Sequence, residues 1–391
     1  MLSVLTIGYG RNLFDKDNPE RARLALCART VSALHMIVFS RRHQGCAPVD
    51  ANLLFIYPTN SRSRLSMLYD AYCIGSAILS SHSVTKKTNT HHATNVSREG
   101  WIVSAQDPFE AGIVAYMLHL RYGIPFQLQE HGDFFGSAWW RREHFLNEIR
   151  YVCGKWLLRR ADSVRVVSKR VARHLVACGV DARIIRKLAV SSDTTPFRKD
   201  RSVSPSHNLR LLYPSAGAIV LFVGRLVREK NILSLIDAFR EVVAQYPDTQ
   251  LVIVGSGPEE RALKKRVEMH ELSSSISFIP WTTDVASYMH SADIFVLCSY
   301  REGWGRVIVE AMVAGLPGVV TDVGCVGEIF IDGRHGIVVP VDDSKALAKG
   351  IETLLAGPAL RRTLGDAAVR DSSRWVAQQL PYADAWCNTI R

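Results

Sequence analysis

Short runs of β-branched and apolar residues alternate along the chain with longer stretches whose apolar positions recur every three or four residues. In the first half the runs are VLTIG (4–8), LHMIVF (34–39), NLLFIY (52–57), WIVSA (101–105), PFQLQ (125–129) and SVRVVS (163–168). In the second they are AIVLFVG (218–224), QLVIVG (250–255), DIFVLCS (293–299) and LPGVVT (316–321). Each has the length of a strand, and intervening segments such as DPFEAGIVAYMLHLRYG (107–123) carry helical spacing and stop on a glycine. Strand–helix alternation predicts an α/β fold with parallel sheets, and 391 residues exceed what one core supports. The expectation is therefore two Rossmann-like, doubly wound domains, joined by the Ser/Pro-rich, aperiodic segment 197–217. The polar stretch 80–100 reads as a loop. Its His82, His91 and His92 have no acidic or cysteine partner at ligand spacing, so no metal site is expected.

Doubly wound sheets bind ligands outside the carboxyl ends of their strands, so the turns leaving strands are where chemistry is expected. Four stand out. REGWGRVIVEAMVAG (301–315) sets Glu302 in a glycine turn and Glu310 in the helix that follows. Gly303, Trp304 and Gly305 shape a turn whose backbone approaches a ligand closely, and the helix N-terminus suits phosphate oxygens. The two glutamates are acceptors for sugar or ribose hydroxyls, or else two solvated surface residues. VGRLVREKN (223–231) places Gly224, Arg225 and Lys230 after a strand of the same sheet, where two cations neutralise a diphosphate or form a basic surface loop. QLQEHGDFFG (127–136) puts His131 at a strand end, able to orient a reacting group or to serve a structural role. IGYGRN (7–12) supplies Gly8 and Gly10 but lacks the third glycine of a dinucleotide fingerprint, since Leu13 stands there.

Composition adds the charge asymmetry. Hydrophobic residues make up 47% and charged residues 22%, values of an ordinary globular chain, and no apolar run is long enough to span a bilayer. Eight cysteines without C-x-x-C spacing read as reduced thiols of a cytoplasmic protein, and MLSVLTIGYG reads as a strand rather than a leader. The net charge of +11 lies wholly in the first half: residues 1–200 hold 28 Lys+Arg against 16 Asp+Glu. Such a half attracts an anionic partner, yet no nucleic-acid module or aromatic–basic interleaving accompanies it, so nucleic acid is not expected. SAWWRREHFLNEIRYVCGKWLLRRAD (137–162) spaces Phe145, Ile149, Val152, Cys153 and Trp156 as one helical stripe among arginines. The stripe is expected to pack into the core of the first domain, leaving the basic face for anionic headgroups.

Taken together, VGRLVREKN, ISFIPW, EGWGRVIVEAMVAGLPGVVTDVGCVGEI and HGIVVPVDD resemble the donor domain of retaining GT-B glycosyltransferases of family 4. AQDPFEAG, QEHGDFF and ADSVRVVSKRVARHLVACGV are similar to that family's acceptor domain. The resemblance is dense over 218–356, thinner over 101–190 and faint before residue 100. It implies an acceptor-side domain (1–196), the linker 197–217, a nucleotide-sugar domain (218–373) and a C-terminal helix (374–391) that packs back toward the first domain. It also implies a cleft between the domains, with Arg225 and Lys230 on the donor diphosphate. Glu302 and the amides of Gly303 to Gly305 would hold the sugar, Glu310 the ribose hydroxyls. Gly8 and Gly10 would line the opposite side, and His131 would face the reacting centre.

By resemblance the reaction retains anomeric configuration and needs no metal or cofactor. The acceptor is expected to be a glycan or a lipid-linked acceptor, and the protein is expected in the cytoplasm, peripherally at the inner face of the plasma membrane. A noncatalytic GT-B-like subunit binding a nucleotide or a partner enzyme is the alternative. Two departures bear on the donor site. Arg306 replaces a usual aliphatic residue and adds a candidate phosphate contact, and Cys325 replaces a common glycine, where it would crowd the donor.

Overall fold

The computed structural model describes residues 2–83, 100–190, 193–198 and 206–390. Two compact units share the chain: residues 1–189 with 380–391, and residues 190–379.

Unit 1 runs β1 (Ser3–Gly8), α1 (Pro19–Ala28), β2 (Ala33–Val38), β3 (Val49–Ala51), β4 (Leu54–Pro58), α2 (Ser66–Ser83), β5 (Trp101–Ala105) and α3 (Glu110–Tyr122). It continues with β6 (Phe126–Glu130), α4 (Ala138–Glu143), α5 (Phe145–Leu158), β7 (Ser163–Val166), α6 (Lys169–Ala177) and β8 (Ile185–Lys187). Unit 2 holds α7 (Leu209–Leu212), β9 (Ala218–Val223), α8 (Ile232–Gln245), β10 (Thr249–Val254), α9 (Glu260–Met269), β11 (Ile276–Ile279) and α10 (Val285–Ser291). There follow β12 (Ile294–Leu297), α11 (Arg306–Val313), β13 (Gly318–Thr321), β14 (Gly336–Val339), α12 (Ser344–Ala356) and α13 (Pro358–Ala377). The last helix, α14 (Tyr382–Ile390), returns to unit 1.

Unit 1 is an eight-stranded sheet in the order β3-β4-β2-β1-β5-β6-β7-β8, parallel except for the edge strand β3. Unit 2 is a six-stranded parallel sheet in the order β11-β10-β9-β12-β13-β14. In each, the chain winds outward from the first strand, then resumes on that strand's other side. The reversal falls between β1 and β5 in unit 1 and between β9 and β12 in unit 2, and there helices leave to opposite faces and open a crevice. Both sheets carry apolar side chains on both faces, as parallel strands under two helical layers require. Trp386, Cys387 and Ile390 of α14 complete the core formed by α1, β1, β2 and β4.

Three expectations change. The segment 80–100 is helical as far as Ser83, because α2 buries Ala71, Ile78 and Leu79 along one face; residues 84–99, with His91 and His92, lie outside the described residues. The segment 197–217 is, from Ser206 onward, built into unit 2: His207 stacks on Tyr288, Leu209 is fully buried, and Arg210 pairs with Asp293. The stripe on α5 does not enter the core. The helix turns its Asn147, Gly154, Leu157 and Leu158 side inward, with Gly154 so close to Phe135 that an added Cβ would stand 2.9 Å from its ring. Phe145, Ile149, Val152, Cys153 and Trp156 consequently face water.

Unit 2 is clasped at its far edge by Asp371 of α13, which accepts hydrogen bonds from Arg334 Nε (2.6 Å) and buried His335 Nε2 (2.9 Å). These donors hold the Asp371 carboxyl well below the ordinary aspartate range. A depressed folded-state pKa adds stability that is complete above the unfolded value of about 4 and drains away as pH falls below it. Asp371→Asn is therefore expected to cost about 2 kcal/mol at pH 7, and thermal unfolding should show the gap between variant and parent closing as pH falls below about 4.

Candidate functional site

The residues singled out in the second half converge on the β9/β12 reversal. After β9, Gly224 leads into Arg225 and a 3₁₀ turn carrying Lys230. After β12, Ser299 precedes the loop bearing Glu302. Across the crevice, Lys230 Nζ pairs directly with Glu302 Oε1, and Ser299 Oγ donates to the same oxygen at 2.8 Å. Both charged side chains are nearly enclosed, at 13% and 14% exposure. Behind them Glu229 accepts from Arg225 (2.8 Å) and from Arg301 (2.9 Å), so the exposed Arg225 is held beside Lys230 by a carboxylate strut.

The Gly-Trp-Gly turn is fixed by close backbone approach. Gly305 sits at φ +81° as the residue before α11, where a side chain would collide with Ile308. Gly324, at φ +59°, passes so near the turn that a Cβ would stand 2.5 Å from the Trp304 carbonyl oxygen. Trp304 is itself buried, its ring 5.6 Å from Trp375 of α13. What the turn offers a ligand is thus its backbone and the opening amides of α11, while the indole anchors it. Cys325 is fully buried and donates its amide to the Trp304 carbonyl at 2.8 Å, which ties it to the turn.

Glu310 is 8% exposed, which removes the reading of a solvated surface residue. Burial raises its pKa, and Arg306, 3.3 Å away on the same helix face, works against that rise. Each expected donor-site cation therefore already faces a carboxylate: Arg225 with Glu229, Lys230 with Glu302, Arg306 with Glu310.

In unit 1, Gly8 ends β1 at its own reversal point, where a side chain would strike Gln106 at 2.0 Å; Gly10 follows in the next turn. His131 follows β6, exposed, with Nε2 2.8 Å from Gln129 Oε1. Glu130 braces the loop by accepting from the amides of Gly132 (2.8 Å) and Phe134 (3.3 Å). Sequence reasoning missed Asp107. It follows β5 beside Gly8's strand and accepts from the amides of Phe109 and Ala111; burial, ahead of nearby Glu110, pushes its pKa up to about 6. Its signal was an acid two residues past a strand end at the reversal. Among the described residues no group of three or more His, Cys, Asp or Glu is placed to hold a metal, and no helix is long and apolar enough to cross a membrane.

Comparison with known proteins places this geometry. Residues 210–371 match the profile "Glycosyl transferases group 1", and residues 101–187 match "Glycosyl transferase 4-like domain". Phosphatidyl-myo-inositol mannosyltransferase of Mycobacterium tuberculosis is 37% identical over 171 residues, which is 40% of this chain and 44% of that protein. D-inositol 3-phosphate glycosyltransferase of Corynebacterium kroppenstedtii is 28% identical over 258 residues, 62% of this chain and 57% of that one. The chain's matches thus span about half the length of these relatives. Among solved structures, sucrose-phosphate synthase from Thermosynechococcus elongatus superposes with a TM-score of 0.76 at 22% identity, covering 100% of this chain and 98% of that one. Anabaena Alr3699/HepE in complex with UDP gives 0.72 at 18%, covering 100% and 99%. The full-length likeness to these structures shows the GT-B fold, and with one glycosyltransferase profile on each of its two Rossmann-like units the chain belongs to the glycosyltransferases of group 1.

Proposed function

We propose that the protein transfers a sugar from a nucleotide-diphosphate sugar to a glycan or lipid-linked acceptor with retention of anomeric configuration. The observation that carries this is the Lys230–Glu302 pair spanning the reversal point of unit 2, beside Arg225 and the N-terminus of α11. That set offers cations and amides to a diphosphate and a carboxylate to sugar hydroxyls. Buried Glu310 supplies a second carboxylate for ribose hydroxyls, and Arg306 can leave it for a phosphate oxygen. The bond from the anomeric carbon to the diphosphate oxygen breaks, and the bond to the acceptor oxygen forms on the same face. The acceptor's proton passes to the departing diphosphate. Charge developing there is met by Arg225, Lys230 and the helix amides, so the reading is metal-independent.

Calorimetric titration with UDP-, GDP- and ADP-sugars tests it. One nucleotide sugar should bind saturably, unchanged by EDTA, and Glu310→Ala should weaken it by about tenfold, the worth of one charged hydrogen bond. Absence of any binding, or a variant equal to its parent, would leave a noncatalytic subunit as the better reading.

The acceptor side is membrane-proximal in this reading. The support is the outward stripe on α5, flanked by exposed Arg142 and by Arg160, whose guanidinium lies 3.8 Å over the Trp156 ring. An apolar strip with cations at its ends suits an anionic bilayer surface, which supports a peripheral association with such a membrane.

A further inference from the structure

The sheet of unit 1 encloses a polar seam that donor binding does not use. Arg165 of β7 is 7% exposed, and among the described residues no carboxylate pairs with it. A guanidinium taken from water without a counter-ion is costly, so its retention calls for a task. Its partners are Gln129 Oε1, to which Nη2 donates at 2.6 Å, and Tyr382 of α14; Nη2 also lies 3.3 Å from His131 Nε2. From Gln129 the seam runs on through the sheet. Gln129 Nε2 donates to Ser104 Oγ (2.8 Å), Ser104 donates to Gln127 Oε1 (3.1 Å), and Gln127 Nε2 donates to the Thr389 carbonyl (2.5 Å).

The donors and acceptors in this seam leave one consistent arrangement. Ser104 must accept from Gln129, so the Gln129 amide nitrogen faces Ser104 and its oxygen faces both Arg165 and His131. Turned over, the amide would set donor against donor at Arg165. The oxygen accepts from Arg165, and at 2.8 Å it also accepts from His131, which places that ring's proton on Nε2; the shorter contact decides over Arg165 Nη2, which then stands donor to donor with Nε2 at 3.3 Å. Nδ1 is then a bare lone pair, with no hydrogen-bond partner among the described residues.

We propose that Arg165 is a positioning residue: with Gln129 it fixes the proton of His131 on Nε2 and makes Nδ1 a standing acceptor for a substrate hydroxyl. The charged groups facing His131 agree with this. Arg165 approaches from β7 and Arg23 from α1, and the protein packed around the ring, then these two cations, hold its pKa well below the ordinary histidine value. Tyr382 and Cys27 face Arg165 from α14 and α1, while Glu130 spends a carboxylate oxygen on the amides of Gly132 and Phe134. The role of Nδ1 rests on the family resemblance that would set His131 at the reacting centre; the fixing of the proton does not.

Long-range ¹H–¹⁵N spectra of histidine-labelled protein test it, with the His131 signals identified by their loss in His131→Gln. The parent should show one tautomer, protonated on Nε2, unchanged from pH 5 to 8. Arg165→Met removes a charge without orphaning a partner charge, so the fold is kept. In it His131 should lose its fixed tautomer and its pKa should rise, though burial and Arg23 still hold it below the ordinary histidine value. Turnover of the nucleotide sugar found by titration, followed as nucleotide release, should fall about tenfold at unchanged donor affinity, and Arg165→Lys should recover part of the loss. Gln129→Glu, which sets a carboxylate against the ring, should raise the titration further and serves if Arg165→Met does not fold. A His131 spectrum in Arg165→Met or Gln129→Glu equal to the parent's overturns the positioning role. A shifted spectrum with unchanged turnover overturns the substrate contact. A parent that binds no nucleotide sugar sinks the donor reading alone, and the spectra still decide the tautomer.

Discussion

Lys230→Met is expected to lower kcat/KM by about 10²–10³-fold, the range seen when one preorganised partner of a developing charge is removed. Lys230 is the enclosed cation at the β9/β12 crevice; Arg225 is largely exposed and Arg306 more than half so. Its charge therefore acts in the least screened surroundings of the three. The same change strands Glu302, whose remaining partner is the Ser299 hydroxyl. An enclosed carboxylate robbed of its ion pair is destabilising by about 3 kcal/mol, so the single variant should also melt earlier. Lys230→Met combined with Glu302→Gln separates the two effects. The double variant should regain the parent's melting temperature while activity stays lost. Recovery of activity along with stability would mean that Lys230 serves the fold and not the diphosphate.

The pairing has a consequence for binding. A diphosphate reaching Lys230 must compete with Glu302, and one reaching Arg306 must draw it from Glu310. The unliganded site is thus close to neutral, which lowers the cost of holding three cations near one another. On the proposed function, donor binding would exchange carboxylate contacts for phosphate contacts and free both glutamates for hydroxyls. Arg306 is the departure from the family pattern here, and its i,i+4 relation to Glu310 gives it a resting place that an aliphatic residue would not need.

How much of this was readable beforehand follows from the range of the interactions. AIVLFVG, QLVIVG and DIFVLCS became β9, β10 and β12 because a run apolar at every position suits a strand covered on both faces. The turn chemistry after β9 and β12 was also local, so Lys230 and Glu302 were found, although their direct contact across 72 residues was not. The α5 stripe misled because both faces of that helix are apolar enough to bury. The side that went inward is the one with Gly154, where small size rather than hydrophobicity decided. Asp107 and Arg165 escaped notice for a related reason. A carboxylate capping a helix and an arginine inside a strand look ordinary in sequence; what sets Arg165 apart is its meeting with Gln129 and with a helix some two hundred residues further along.

The outward stripe leads to the second large effect. Phe145, Ile149, Val152 and Trp156 are 74%, 56%, 60% and 44% exposed, and Leu120 of α3, next to the Tyr116 that edges onto Trp156, is 65% exposed. Neighbouring acids are largely neutralised: Glu148 is held by Arg141 in a two-pronged contact (2.6 and 2.9 Å), and Glu110 by Arg150. Exposed Arg142, Arg160 and Arg121 leave the rim positive. An anionic bilayer answers both the apolar strip and its rim, so vesicles containing about a third acidic phospholipid should sediment the protein, with binding that weakens as salt rises. Ile149→Glu with Val152→Glu removes about 3 kcal/mol of apolar contact and adds two repelled charges, which predicts a loss of at least about 100-fold in vesicle partition. Both positions are exposed and lie on the opposite side of the helix from Asn147 and Gly154, so the variant should fold and bind nucleotide sugar like its parent. If it still sediments with acidic vesicles, the stripe is not the docking face. If instead sedimentation velocity shows a parent dimer that the variant abolishes, with vesicle binding intact, the stripe joins two copies of the chain.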